Sequence, residues 1–169
     1  MASRLREDGG RWLPSVGGLT TALLPVLEKE GGTWVAWAEK KADELPELGY
    51  PENNPRFSVQ RLYLSKQELM SYYGFSNRVL WPLCHYFMAP MEHRPEFFRG
   101  YAAVNQKFAR RALEAHHKRD LIWIQDYQLM LVPQLIRGGY QNAFPGIVTC
   151  LLLNPFPRAP VAVGSMEPA

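Results

Sequence analysis

The first candidate for chemistry is the acid that closes a short apolar run. Leu121-Ile-Trp-Ile-Gln125 follows Asp120 and ends at Asp126, after which the sequence becomes more polar. Such a Leu/Ile/Trp run is typical of a buried parallel strand. Open α/β sheets bind their ligands at the carboxyl ends of the strands. The sequence therefore predicts a functional site at the corner formed by Asp126.

A helix should follow this corner and complete a strand-corner-helix unit. Residues 129–137 have helical apolar spacing, and Gly138-Gly139 is a typical helix end. Pro133 would lie in the first turn, where its missing N–H costs least. The apolar run at 147–153 predicts a second buried strand, ended by Pro155-Phe-Pro157. This arrangement indicates an α/β protein.

The remaining elements can be predicted from apolar spacing and from Gly, Pro and Ser signals. In chain order we expect a loop over 1–18, a helix over 19–30, a strand over 33–38, a loop to about 55, and a strand over 57–64. Ser65 and Glu68 form a capping-box pattern for a short helix through Tyr72. Ser76 could cap another helix. A long amphipathic helix should run from Pro95 to about His117, with one apolar face.

Five segments together resemble the trehalose-6-phosphate synthases, retaining glycosyltransferases of the two-domain GT-B type. They are Ser3-Arg4-Leu5; Gly17-Gly18-Leu19 with Trp34 and Trp37; Tyr72-Tyr73-Gly-Phe-Ser-Asn-Arg-Val-Leu-Trp-Pro82 with His85-Tyr86; the Asp126-Tyr127 corner; and Pro155-Phe-Pro157. In that family the corner usually reads His-Asp-Tyr-His-Leu. Here Gln125 and Gln128 stand at the two histidine positions.

The resemblance implies a Rossmann-like parallel sheet in a partial amino-terminal GT-B domain over residues 1–157. Residues 158–169 are rich in Pro and Ala, which predicts a disordered tail. A family member would begin with an apolar strand before Ser3, for which this sequence has no room. The first strand of the sheet is therefore expected to be missing.

The resemblance also implies the substrates and the residues that bind them. The acceptor would be glucose 6-phosphate and the donor UDP-glucose, with no metal or other cofactor. Phosphate would bind Arg4, Gly17 and Gly18, Asp126 would accept from sugar hydroxyls, and the sugar ring would be framed by Trp37, Tyr73 and Trp81. The alternatives are a surface arginine beside an ordinary glycine loop, three core aromatics, and an aspartate that caps the next helix.

Departures from the family pattern bear on activity. The family's histidine two positions before Pro-Phe-Pro is replaced by Leu153, which cannot hydrogen-bond a hydroxyl or accept a proton. One family residue after Tyr73 is absent, so Gly74 follows directly. We expect these 169 residues to lack the donor domain, and we assign no residue a catalytic role. Three hypotheses stay open: an active synthase, an acceptor-binding or regulatory fragment that docks on a full-length synthase or donor-domain chain, and a decayed truncated gene product.

Composition narrows the class of protein. The 169 residues are 47% hydrophobic and 12% aromatic with a net charge of +3, which indicates a globular domain. The basic residues between 107 and 119 are typical of a solvated helix face, and we expect no nucleic-acid partner. Cys84 and Cys150 lie in apolar segments, which predicts reduced core thiols and a cytoplasmic location. No apolar run reaches the ~18 residues that span a bilayer, so no membrane partner is expected.

Overall fold

The computed structural model describes residues 5–8, 11–14, 18–38, 48–51, 53–87, 91–117, 120–139 and 146–150. Its elements are β1 (Leu5–Asp8), β2 (Arg11–Pro14), α1 (Gly18–Glu30), β3 (Thr33–Ala38), β4 (Leu48–Tyr50), β5 (Phe57–Tyr63), α2 (Lys66–Phe75), a π-helical turn (Ser76–Leu80), α3 (Trp81–Cys84), α4 (Pro95–Ala115), β6 (Leu121–Gln125), a 3-10 turn (Tyr127–Leu129), α5 (Val132–Gly139) and β7 (Gly146–Cys150). Within these residues, no helix is both long and apolar enough to cross a membrane.

Two of the four described strand pairs are parallel, and they join the four strands that the sequence predicts. β3 and β5 run parallel, with Thr33 opposite Ser58 and Ala38 opposite Tyr63. β6 and β7 are also parallel, with Gln125 opposite Cys150. β4 joins the other side of β5 in the antiparallel direction. The prediction of an α/β fold with a Rossmann-like parallel sheet is confirmed.

Two segments predicted to be loops contain strands. Residues 5–8 and 11–14 pair as an antiparallel hairpin, although the stretch 1–18 was expected to be irregular. The intervening Gly9-Gly10 is a dipeptide that hairpin turns favour, and this signal could have indicated the hairpin. β4 lies within the predicted loop before Pro55. It has only three residues, which is too few to show a periodic pattern in the sequence. It is defined by its pairing with β5, which is a tertiary contact.

The helix after β5 begins where it was predicted and continues further. Ser65 Oγ accepts from Glu68 N at 3.2 Å, and Glu68 Oε2 accepts from Ser65 N at 2.9 Å, so the predicted capping box is confirmed. The prediction that Ser76 caps a separate helix is wrong. Ser76 has helical dihedral angles, and its hydroxyl donates to the Tyr72 carbonyl at 2.8 Å. The hydroxyl is therefore satisfied within helical backbone rather than at a cap, and the chain continues through the π-helical turn into α3.

α4 has the apolar face that the sequence predicts. Phe97, Tyr101, Val104 and Phe108 are all buried. α4 ends at Ala115, two residues before the expected end. Its first turn carries Pro95, as helix starts commonly do. The buried face of this long helix packs on the elements that surround the corner.

α2 and α4 cross so closely that glycine is required on both helices. A Cβ added to Gly100 of α4 would lie 2.2 Å from the Ser71 Cβ of α2. A Cβ added to Gly74 of α2 would lie 2.9 Å from the Phe97 ring of α4. Both distances are shorter than van der Waals contact. The distance between the helices therefore depends on these two missing side chains.

We expect Gly100→Ala to lower the free energy of unfolding by roughly 1–3 kcal/mol, because the new methyl group overpacks the crossing and outweighs the helix propensity of alanine. Gly138→Ala is the matched control, since an added Cβ meets nothing within 4 Å there. That control should be neutral or stabilising by up to about 1 kcal/mol. Urea denaturation of both variants gives the comparison. Equal midpoints would contradict the close crossing.

Candidate functional site

Two of the predicted sugar-binding aromatics meet at the carboxyl end of β3. Trp37 is the fifth of the six residues of β3 and is only 3% exposed. Its ring lies 6.4 Å from that of Tyr73 on α2, at an interplanar angle of 66°. Trp37 Nε1 is buried and finds no hydrogen-bond partner among the described residues. Trp37 belongs to the main buried core, and Tyr73 is partly buried against it. Trp37 therefore fits the alternative of a core aromatic, and a role of the pair in framing a sugar ring stays a prediction.

The corner after β6 has an unusual backbone. Asp126 has φ of 72° and ψ of 165°, a conformation rarely adopted by residues other than glycine. Its side chain is mostly buried, and Oδ1 accepts from Tyr127 N at 2.7 Å. The aspartate therefore caps the 3-10 turn, as one of the two sequence hypotheses held. Hydrogen bonding of Asp126 to sugar hydroxyls stays a prediction, and strained backbone of this kind is common at functional sites.

Two buried side chains of α4 hold the backbone after Asp126. The Tyr101 hydroxyl donates to the Tyr127 carbonyl at 2.7 Å and accepts from Met130 N at 3.1 Å. Asn105 Nδ2 donates to the Gln128 carbonyl at 3.0 Å, and its Oδ1 accepts from Leu131 N at 3.2 Å. Sequence reasoning assigned Tyr101 to the core and overlooked Asn105. The sequence feature that could have identified Asn105 is its position, because a polar residue lies four positions after Tyr101 on an otherwise apolar helix face.

The helix from α2 through α3 connects the aromatic pair with the corner. Asn77, one helical turn after Tyr73, accepts a hydrogen bond from the Tyr127 hydroxyl through Oδ1 at 3.3 Å. Burial raises the pKa of the Cys84 thiol, and the Asp126 carboxylate at the corner adds to this rise. Cys84 is free and only partly buried, which departs from the expected core thiol. Gly74 lies inside α2, so the absent family residue falls within a helix.

Trp81 has a more exposed position than the other predicted aromatics. It is 41% exposed, and its ring stacks on His85 at 4.3 Å. Phe87 stacks on its ring at 6.3 Å. The structure therefore joins Trp37 with Tyr73 and places Trp81 in a neighbouring aromatic stack. The π-helical turn before Trp81 sets this orientation, because it adds a residue to one helical turn.

Two buried tyrosines near the corner, Tyr72 and Tyr101, have raised phenol pKa values. Burial raises the pKa of Tyr72 well above its ordinary value, and the charge on Asp126 contributes in the same direction. Burial raises the pKa of Tyr101 to about 12. Both phenols are therefore protonated at neutral pH. A carboxylate beside groups of this kind is suited to accept hydrogen bonds from hydroxyls.

The two glutamines at the histidine positions are buried. Within the described part of the chain, neither side-chain polar atom of Gln125 has a hydrogen-bond partner, and Gln128 Oε1 also has none. Leaving such atoms unsatisfied typically costs about 1–3 kcal/mol each. An amide can exchange hydrogen bonds with a hydroxyl, but it cannot carry a proton as a histidine does.

The predicted phosphate-binding residues are described only in part. Gly18 is the first residue of α1, whereas Arg4 and Gly17 lie outside the described residues. Leu153 and Pro155-Phe-Pro157 lie outside them as well, as does the predicted tail at 158–169. Among the residues that the structure does describe, no three His, Cys, Asp or Glu side chains are grouped as a metal site.

These observations define a partial α/β domain with parallel strand pairs, and its structural neighbours are GT-B glycosyltransferases. The model of glycosyltransferase family 20 matches residues 3–162, and the chain belongs to that family.

Individual relatives agree with this assignment. The trehalose-6-phosphate synthase of Mycolicibacterium smegmatis is 39% identical over 136 residues, which cover 79% of this chain and 26% of the relative. The apo structure of OtsA has a TM-score of 0.71 at 30% identity and covers 89% of this chain and 32% of its own. A synthase from Burkholderia xenovorans in complex with glucose-6-phosphate has a TM-score of 0.66 at 27% identity, covering 80% and 30%. The chain thus spans about a quarter to a third of these relatives.

We expect Tyr101→Phe to lower the free energy of unfolding by roughly 1–3 kcal/mol at neutral pH, because it leaves Met130 N–H and the Tyr127 carbonyl without their partner. The raised pKa of Tyr101 has a second consequence. The fold favours the protonated phenol, so its contribution is complete below pH 10 and is lost as the pH rises from 10 to about 12. This loss amounts to roughly 2–3 kcal/mol.

The variant should therefore lose less stability than the parent chain between pH 10 and 12, with a residual slope from Tyr72. Chemical denaturation at a series of pH values measures both effects. Tyr86→Phe is the control, since it makes the same chemical change at a side chain that is 92% exposed. Parallel pH profiles for the parent chain and Tyr101→Phe would contradict the role of this hydroxyl.

Proposed function

We propose that this chain is the acceptor-binding part of a trehalose-6-phosphate synthase and binds glucose 6-phosphate. The observation that supports this most directly is the Trp37–Tyr73 pair at the carboxyl end of β3, in a member of glycosyltransferase family 20. The Burkholderia xenovorans relative was solved with this sugar phosphate. The roles of the individual residues are those that the resemblance to the family implies.

Each proposed contact matches one part of the ligand. The ring of Tyr73 would pack on the C–H surface of the sugar, with Trp37 behind it in the core, and Trp81 would border the site from the adjacent aromatic stack. Asp126 would accept hydrogen bonds from sugar hydroxyls. The phosphate would take a bidentate contact from Arg4 and backbone N–H groups of Gly17 and Gly18, the last of which begins α1.

The proposed reaction is transfer of glucose from UDP-glucose to glucose 6-phosphate with retention of configuration, giving trehalose 6-phosphate and UDP. No metal or other cofactor is proposed. The chain spans 26% of its Mycolicibacterium relative. The proposed partner that holds UDP-glucose is a donor-domain chain or a full-length synthase. Because glutamine cannot transfer a proton, Gln125 and Gln128 favour binding over independent catalysis. We propose the cytoplasm as the location, where the free Cys84 thiol stays reduced.

We expect Asp126→Asn to weaken glucose 6-phosphate binding by roughly 10- to 100-fold, because hydrogen bonds to a charged group contribute about 1.5–3 kcal/mol. Asp120→Asn is the matched control at the opposite end of the same strand. Isothermal titration with glucose 6-phosphate, and separately with glucose and inorganic phosphate, measures the effect. Equal affinities for both variants, or no binding by the parent chain, would contradict the proposal.

We expect Trp81→Leu to weaken the same binding by a smaller factor, because this ring only borders the proposed site. Phe98→Leu provides the control, since Phe98 is a similarly exposed aromatic on α4. Titration with glucose 6-phosphate compares the two. A loss of affinity confined to Phe98→Leu would place the sugar on another surface.

A further inference from the structure

The aromatic stack around Trp81 is built by the residues that follow α3. His85 and Tyr86 belong to the ordered motifs of the sequence, and the proposed sugar contacts use neither of them. The ring centroid of His85 lies 4.3 Å from that of Trp81, at an interplanar angle of 25°. The ring centroid of Phe87 lies 6.3 Å from it, at 14°. Both rings are therefore nearly parallel to the indole ring.

The end of α3 is closed by a Schellman motif. Phe87 N donates to the Pro82 carbonyl at 2.8 Å, and Tyr86 N donates to the Leu83 carbonyl at 3.2 Å. These are the two hydrogen bonds that define this cap, in which the residue at the position of Tyr86 takes the left-handed conformation. The cap reverses the chain, so the residue after Tyr86 lies beside the last helical turn.

Tyr86 occupies a backbone conformation that normally requires glycine. Its φ is 61°, which is unfavourable for a residue with a bulky side chain. The Tyr86 side chain is 92% exposed, so its packing does not offset this strain. The conformation returns Phe87 to Trp81, which is the apolar contact that commonly accompanies a Schellman motif. The backbone of Tyr86 therefore has a role that its ring does not explain.

His85 contacts Trp81 through a hydrogen bond as well as through stacking. His85 Nδ1 lies 2.8 Å from the Trp81 carbonyl oxygen. A carbonyl oxygen can only accept, so the proton lies on Nδ1, which donates. This hydrogen bond fixes the orientation of the imidazole that stacks on the indole.

The chain that leaves this cap returns to the helical turn before Trp81. Glu92 N donates to the Arg78 carbonyl at 3.1 Å, and Arg78 Nη1 donates to Glu92 Oε2 at 2.7 Å. Arg78 lies three residues before Trp81. The segment from His85 to Glu92 is thus attached at both ends to the helix that carries Trp81, which restricts the movement of the cap.

Trp81 stays accessible although its ring is held. Its side chain is 41% exposed, so a ligand can contact it. An exposed side chain that changes rotamer freely loses this freedom when a ligand binds, and the loss weakens affinity. A ring that is already fixed avoids that loss.

We propose that His85, Tyr86 and Phe87 are positioning residues that hold the Trp81 ring in one orientation before the acceptor binds. His85 and Phe87 act by packing on the indole ring. Tyr86 acts through its left-handed backbone, which returns Phe87 to Trp81. The effect on sugar binding rests on the proposed function, whereas the immobilisation of Trp81 does not.

The first test measures the motion of Trp81 in the whole chain without ligand. Nitrogen-15 relaxation gives an order parameter for each indole N–H, and the spectrum of Trp81→Phe assigns the Trp81 signal. Tyr86→Asn and Tyr86→Val both remove the exposed ring, but asparagine tolerates the left-handed conformation and β-branched valine does not. We expect a Trp81 order parameter of about 0.8 or more in the parent chain and in Tyr86→Asn, and below about 0.6 in Tyr86→Val. Equal order in the two variants would overturn the proposal.

A pair of variants at His85 keeps the proposal testable if Tyr86→Val does not fold. His85→Ala removes the stacked ring and the hydrogen bond, whereas His85→Phe keeps a flat ring. Trp81 should become mobile in His85→Ala and should regain most of its order in His85→Phe. The chain has five tryptophans, and unchanged indole signals of the others show that a variant is folded. The same Trp81 order in His85→Ala as in the parent chain would contradict the proposal.

The second test measures binding by titration with glucose 6-phosphate. We expect Tyr86→Val to weaken affinity by roughly 3- to 10-fold, because the Trp81 side chain must then be ordered on binding. Tyr86→Asn should stay within about twofold of the parent chain. An equal loss in both variants would show that the Tyr86 ring itself contacts the ligand and would overturn its positioning role. No binding by the parent chain would overturn the proposed function, while the relaxation measurement still decides whether Trp81 is held.

Discussion

The corner after β6 depends on a small buried polar network supplied by α4. Tyr101 and Asn105 together form hydrogen bonds with four backbone groups between Tyr127 and Leu131, two carbonyls and two N–H groups. These backbone groups have left the strand and have not yet entered α5, so neither element can satisfy them. In a buried setting each unpaired group would destabilise the fold by about 1–3 kcal/mol. The network thus permits Asp126 to keep its positive φ and its carboxylate at the end of the strand.

The same helix fixes the second half of the candidate site. α4 approaches α2 closely because Gly100 and Gly74 carry no side chain at the crossing. α2 in turn presents Tyr73 to Trp37, and the π-helical turn brings Asn77 to the Tyr127 hydroxyl. The aromatic pair and the acidic corner are therefore positioned by one packing interface. A change in the spacing of α2 and α4 would move both parts of the site together.

The two ends of the parallel strands differ in physical character. At their carboxyl ends are aromatic rings, a carboxylate and buried amides, which suit a polar ligand with apolar patches. Along β3 and β6 lies a largely apolar cavity of about 660 Å³, and its lining includes Leu129 and Val132, so it reaches the turn that follows Asp126.

Local patterns in the sequence determined the major elements. The apolar runs predicted β3, β5, β6 and β7, the Ser65 and Glu68 pair predicted the start of α2, and helical spacing predicted the buried face of α4. Those signals are local, because strand and helix periodicity and capping act over a few residues. The ordered motifs also identified the family and the residues Trp37, Tyr73, Trp81 and Asp126 as candidates for the site.

Only the tertiary structure decided how these residues are arranged. β4 forms because β5 offers it an edge, and Ser76 lies inside a helix, where its hydroxyl donates to the Tyr72 carbonyl. The separation of Trp81 from the Trp37–Tyr73 pair, the support of the corner by Asn105, and the cavity between β3 and β6 all arise from contacts between residues far apart in the chain. The sequence by itself therefore determined which groups could act, and the packing of α2 and α4 decided which of them meet.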